Sequence, residues 1–267
     1  MTSLTDRAFD VAAHWRSRLF GDPEVPTLMH ITHAKAGSTW INNLLRELFR
    51  TRVAPRGKLV AANEDLSKHV FEPGRVYPAM FLRREQFMAH PELHDCRRFI
   101  IIRDLRDTLV SLYFSLKISH PEDAQGQTRK HRLRLQELDL ENGLLYLLRE
   151  QLPGAAAVQS SWIGHDEMIL RYEDLLDDGF ERLREVFIDR LALPISESAL
   201  ARAFRRTHFE NVYKRKLGDE DVTSHGRKGV PGDWRNHFTC EVRREFAEKF
   251  GSLLVGAGYE TDNRWAG

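Results

Sequence analysis

Residues 33–40 read His-Ala-Lys-Ala-Gly-Ser-Thr-Trp, set between an apolar run (Leu28, Met29, Ile31) and a stretch with helical apolar spacing (Ile41, Leu44, Leu45, Leu48, Phe49). The change of period predicts a strand over residues 28–32, a loop, and a helix over residues 38–49. Such a junction attracts anions, because the first N–H groups of a helix lack intrahelical acceptors and lie at the positive end of its dipole. Lys35 adds a mobile cation, and Gly37 lets the backbone curl close around a bound group. In the nucleotide loop G-x-x-x-x-G-K-[ST] the lysine follows the second glycine and the next hydroxyl holds magnesium. Here Lys35 comes two residues before Gly37 instead. Taken alone, the string also suits an ordinary glycine turn with Ser38 or Thr39 as helix N-cap.

Two further segments carry the same kind of chemistry. Phe99, Ile100, Ile101 and Ile102 form a continuous apolar run, the mark of a parallel strand buried on both faces, and Arg103 stands at its C-terminal end, where open parallel sheets bind ligands. Residues 105–118 read as a helix with Leu105, Leu109, Leu112 and Leu116 on one side, and Ser111 lies eight residues after Arg103. An arginine merely paired with Asp104 or Asp107 is the competing reading. Residues 227–239, Arg-Lys-Gly-Val-Pro-Gly-Asp-Trp-Arg-Asn-His-Phe-Thr, have two glycines, a proline and no periodicity, so they form a shaped basic loop.

In order and spacing, the three segments resemble those of the cytosolic-type sulfotransferases, which take a sulfuryl group from 3'-phosphoadenosine 5'-phosphosulfate (PAPS) and release 3'-phosphoadenosine 5'-phosphate (PAP). The third is nearly identical to that family's Arg-Lys-Gly-x-x-Gly-Asp-Trp-Lys-Asn-His-Phe-Thr string, with Arg235 for lysine. Weaker echoes are Leu170-Arg171-Tyr172-Glu173-Asp174 and Thr207-His208-Phe209. The resemblance covers roughly residues 28–255 and is weakest over residues 51–97. It implies a P-loop-like α/β fold, a parallel sheet flanked by helices. It implies that Lys35 stabilises the leaving oxygen, and that Gly37, Ser38 and Thr39 hold the 5'-phosphate. Trp40, Tyr172 and Phe209 would pack around the adenine, and Arg103, Ser111, Arg227, Lys228 and Gly229 would hold the 3'-phosphate. No metal is implied.

Size and composition fit one domain over residues 1–267. Forty basic residues against 39 acidic ones leave a net charge of +1, so nothing attracts nucleic acid overall and any positive potential is local. Two cysteines make neither a disulfide framework nor a metal cluster, and no apolar stretch approaches membrane-spanning length. Residues 1–21 mix Asp6, Arg7, Asp10 and Arg16 with apolar positions and stop at Gly21, which reads as an amphipathic helix and not a signal peptide. A cytoplasmic location is expected. Further helices are expected over residues 143–151, 175–191 and 197–206, a short strand over 168–170, and a last helix from Thr239 with Val242, Phe246, Phe250 and Leu254 on one stripe. Residues 120–135, with Pro121, Gly126 and clustered arginines, read as a charged loop; a lid over an acceptor pocket is the second reading.

The resemblance departs in two places. The family's histidine base, in a Lys-Thr-His-Leu segment, would fall near Phe81, where Val-Tyr-Pro-Ala-Met-Phe-Leu (residues 76–82) has no histidine. His33 is the candidate base on the loop itself, with Glu85, His69, His90 and His94 as others. The family's dimerisation segment would span residues 235–244, where Arg244 replaces an acid, so that dimer is not implied and the oligomeric state stays open. The expected acceptor is a small molecule or a glycan with a hydroxyl or amine. A nucleotide-binding protein that has lost catalysis, and a P-loop small-molecule kinase, are the alternatives.

Overall fold

The computed structural model describes residues 11, 15, 24–55, 65, 66, 69–123 and 125–267. Nearly all of the expected helix over residues 1–21 lies outside them. Four parallel strands, β1 (Leu28–Thr32), β2 (Val76–Met80), β3 (Arg97–Ile102) and β4 (Ile169–Arg171), form one sheet in the order β2-β1-β3-β4. The helices are α1 (Ser38–Phe49), α2 (Arg84–Met88), α3 (Leu105–Phe114), α4 (Gln127–Glu137), α5 (Leu140–Glu150), α6 (Leu152–Trp162), α7 (Tyr172–Asp177), α8 (Gly179–Arg184), α9 (Glu197–Thr207), α10 (Phe209–Tyr213) and α11 (Cys240–Gly256). This is the expected α/β architecture. Among the described residues no helix is long and apolar enough to cross a membrane.

Both faces of the sheet are buried, and successive strand residues serve opposite cores. Leu28, Phe99 and Ile101 pack with α1 and Phe187 on one side, while Met29, Ile31, Ile100 and Ile102 pack with Phe87 and Trp162 on the other. Each fully buried side chain of this size contributes about 1.5–3 kcal/mol. That burial pins the register. A one-residue slip of β3 would draw Arg98, which forks onto Glu167 at 2.8 Å, or Arg103 into the sheet, where an unpaired guanidinium is far costlier.

Register fixes the site. The chain leaves β1 towards β2 on one side and returns to β3 on the other, so the loops after β1 and β3 diverge at a switch point and leave a crevice between them. Lys35 is on the first loop and Arg103 opens the second.

Several elements differ from the sequence reading. β2 carries no apolar alternation and contains Pro78; it is the sheet's edge strand, where a missing N–H is tolerated. Residues 120–135 are not a loop throughout, because α4 begins at Gln127, with Asp123 accepting the N–H groups of Gln127 (3.0 Å) and Thr128 (2.5 Å). Its buried positions are Thr128, His131 and Leu135, spaced as a helix face but mostly polar, so hydrophobic periodicity misses them. The expected helix over 175–191 divides into α7, α8 and a π-helical turn Glu185–Arg190. The helix over 105–118 likewise ends as α3 at Phe114 and continues as a π-helical turn, Ser115–Ser119. The last helix matches its expected stripe: Thr239 caps it, and Val242, Phe246, Phe250 and Leu254 are buried.

Candidate active site

A single cavity of about 590 Å³ runs across the crevice, within the range that holds small ligands. Of the sequence-predicted residues, Lys35, Gly37, Ser38, Thr39, Trp40, Arg103, Ser111, Tyr172, Phe209, Arg227, Lys228 and Gly229 all line it. His33 does not.

The loop after β1 is built for close approach. Lys35 and Gly37 both have left-handed backbone (φ 68° and 81°), and a Cβ on Gly37 would lie 2.6 Å from the Tyr172 ring. Gly37 is the N-cap of α1 and no side chain caps that helix, so the alternative of Ser38 or Thr39 as capping residue is not what forms. The first N–H groups of α1 therefore face the cavity without a side-chain acceptor. Thr39 Oγ1 lies 2.9 Å from His225 Nε2. Lys35 Nζ donates to Ser115 Oγ at 3.0 Å. Burial, then the charges of Arg103 and Arg227, push the Lys35 ammonium down to about 8.

Arg103 is not paired with Asp104 or Asp107. Its Nη1 donates to the Lys35 carbonyl at 2.9 Å and its guanidinium lies 4.8 Å above the Tyr172 ring. The two aspartates have other duties. Asp104 caps α3 and pairs with buried Arg106 at 2.7 Å, and Asp107 accepts the N–H groups of Gly232 (2.6 Å) and Trp234 (2.9 Å). Asp107 thus ties the basic loop of residues 227–239 down beside Arg103. Within that loop Asp233 pairs with Arg227 and with Lys228 (2.6 Å), and accepts from Asn236 (3.0 Å) and His237 (3.2 Å). Burial alone would raise its carboxyl, but those donors hold it well below the usual carboxylate range. Gly229, at φ 71°, packs against Phe209, whose ring a Cβ there would meet at 2.9 Å. Trp40 meets Tyr172 edge-on at 6.4 Å and Phe204 at 5.8 Å, giving this end an aromatic wall.

His33 is corrected by its surroundings. It is 1% exposed, its Nδ1 lies 3.0 Å from the Ala34 carbonyl, and its Nε2 accepts the Arg103 backbone N–H at 3.2 Å. Neither nitrogen is left to take a proton from a ligand, so it pins the loop after β1 to the end of β3. Burial is the main cause that lowers its pKa to about 4; buried His30, stacked on Phe99, is lowered to about 3. Both rings stay neutral in the fold while the unfolded chain takes protons near pH 6.5, so stability is lost as pH falls from 6.5. Each should cost about 1.5 kcal/mol between pH 6.5 and 5. Urea midpoints across that range check this; a flat profile would contradict it.

Nor do Glu85, His69, His90 or His94 line the cavity; the histidines that do are His120, His131, His208 and His225. Sequence reasoning missed these four and Ser115. Twelve histidines give no pattern to choose among, and Ser115 meets Lys35 only through the fold.

A sulfotransferase domain model matches residues 26–258. Human sulfotransferase 1C2 is 20% identical over 269 residues, covering 86% of this chain and 83% of its own length. The 3-alpha-hydroxysteroid sulfotransferase of Cavia porcellus is 23% identical over 257 residues, covering 85% and 83%. Among solved structures, mouse sulfotransferase SULT7A1 complexed with PAP aligns with a TM-score of 0.60 at 21% identity, over 87% of both chains. Retinol dehydratase in complex with androsterone and PAP aligns at 0.53 and 16% identity, over 93% of this chain and 85% of its own. The structural likenesses speak for the fold; the domain match, which spans the sheet, the loop after β1, Arg103 and the basic loop together, means that this chain belongs to the sulfotransferase domain family.

Proposed function

We propose that this chain, acting as one domain, moves a sulfuryl group from PAPS to a hydroxyl or amine of a small-molecule or glycan acceptor. The observation that carries the reading is one cavity with two sets of anion-binding groups: Lys35 with the uncapped start of α1, and Arg103 with Ser111 and Arg227. An ATP site needs only the first. The residues fit a 3'-phosphorylated nucleotide. Nε of Arg103 and Nε1 of Trp40 are buried donors with no hydrogen-bond partner among the described residues, and the cradle at Gly37 has room for no side chain.

When bound, PAPS supplies a sulfur–oxygen bond whose cleavage puts negative charge on the bridging oxygen. Lys35 answers that charge, and Ser115 holds its ammonium in place. The N–H groups of Gly37, Ser38 and Thr39 and the Thr39 hydroxyl orient the 5'-phosphate. Tyr172, Trp40 and Phe209 flank the base. Arg103, Ser111 and Arg227, with Lys228 and the Gly229 backbone, read the 3'-phosphate. Asp233 pairs with both Arg227 and Lys228 and so holds them in place. Two free cysteines, one buried and one exposed, suit a cytoplasmic enzyme.

Calorimetric titration with PAP, ADP and ATP plus magnesium tests the reading. PAP should bind roughly ten- to a hundredfold more tightly than ADP, the worth of one set of charge-assisted hydrogen bonds. Preference for ATP with magnesium would favour a kinase, against which the order of Lys35 and Gly37 already argues. Equal affinity for all three would overturn the reading.

A further inference from the structure

Transfer to a hydroxyl requires that the hydroxyl lose its proton, and one histidine lining the cavity, His120, is linked to Lys35 through a shared serine. His120 follows the π-helical turn Ser115–Ser119, and its backbone N–H closes that turn on the Ser115 carbonyl at 2.7 Å. Such single π turns often mark sites where a helix has been bent to aim a side chain. Here the turn brings Ser115 under Lys35 and the His120 ring into the cavity wall. Ser115 Oγ lies 3.0 Å from Lys35 Nζ and 3.4 Å from His120 Nδ1. A hydroxyl oxygen has two lone pairs, so it can accept from both the ammonium and an Nδ1–H, which leaves Nε2 as the basic nitrogen. Nε2 has no protein partner among the described residues.

The other histidines of the cavity are spoken for or lie elsewhere. His131 is held by the Tyr146 hydroxyl at Nδ1 (2.9 Å) and the Gln151 amide at Nε2 (3.0 Å). His225 engages Thr39, at the start of α1. His208 follows α9 and packs its ring against Phe204.

We propose that His120 is the base of the reaction, a reading that rests on the sulfotransferase function above. The acceptor's O–H bond breaks with its proton passing to His120 Nε2 as its oxygen bonds to sulfur. The sulfur–oxygen bond to the donor phosphate breaks at the far side, its electron pair going to the bridging oxygen beside Lys35. One Ser115 hydroxyl then fixes both the group that takes the proton and the group that meets the leaving charge, which makes Ser115 a positioning residue. Among the described residues, the charged groups around His120 are Lys35 on the loop after β1, Arg132 on α4, which donates to the His120 carbonyl and pairs with Glu122 at 3.6 Å, and Asp123 before α4. Burial, then Lys35 and Arg132, lower its pKa, so it is unprotonated and ready near neutral pH.

The test uses the full chain with PAPS and two neutral probes, 2-naphthol and 1-pentanol, comparing wild type with His120→Ala and His120→Gln. A base contributes on the order of 10²–10⁴-fold, so both variants should lose at least about 100-fold in kcat. Their affinity for PAP should stay within about twofold, because His120 is not among the groups that read the nucleotide. The acid limb of the wild-type kcat profile should vanish in both, and added imidazole should restore part of the rate to His120→Ala. A folded variant that keeps kcat within threefold, or keeps the acid limb, overturns the assignment. So does a wild type that binds PAP yet sulfates neither probe, whereas failure to bind PAP at all would instead sink the donor reading.

Discussion

Lys35→Ala should lower kcat by roughly 10³-fold, the upper end of what removing one donor to a developing oxyanion costs, because here the donor is a full cation lining the cavity. The fold should not suffer. Lysine at this left-handed position already carries a Cβ, so alanine adds no backbone strain, and the lost ammonium is one that burial and two arginines disfavour. Thermal midpoints should be unchanged or higher, which separates lost chemistry from lost structure. The pH dependence has a defined sign. A free-enzyme Lys35 at about 8 must be protonated to serve, so kcat/KM for the donor should fall above about pH 8. A bound phosphosulfate raises that pKa again, so kcat should hold to higher pH. Lys35→Arg should not rescue, since a planar fork cannot replace a point donor at 3.0 Å from Ser115. Turnover by the alanine variant within tenfold of wild type would remove Lys35 from the reaction.

Arg103→Ala should weaken PAP binding by roughly ten- to a hundredfold, from charge-assisted hydrogen bonds of about 1.5–3 kcal/mol, while leaving ADP affinity within a few-fold. The contrast between the two nucleotides is the informative quantity. Any general loosening of the loop, which Arg103 steadies through the Lys35 carbonyl, would weaken both equally. Only direct reading of the 3'-phosphate penalises PAP alone. Calorimetry on both ligands checks it, and an unchanged PAP to ADP ratio would remove Arg103 from that role.

Much of this site was legible in the chain because several of the segments that line it are local. Residues 28–49 give strand, turn and helix by their change of period, and β1 and α1 form over the expected residues. Arg103 follows a run of apolar residues that only a buried strand accommodates, and the basic loop announces itself by its glycines and proline. Other parts of the fold were not legible. β2 lacks alternation, α4 buries Thr128 and His131 in place of apolar residues, and α6 starts with Leu152-Pro153-Gly154, which reads as a break although proline suits the first helical turn.

By itself, then, the sequence determined the α/β class, the strand-turn-helix around Gly37 and most of the residues that line the cavity, because each depends on spacing within a few residues along one element. What only the tertiary structure decided is which side chains from distant elements meet. His33, two residues from Lys35, is turned into the protein by the Arg103 N–H, while His120, 85 residues away, reaches the same cavity through Ser115. Sheet order and helix packing set such meetings, and no local period encodes them.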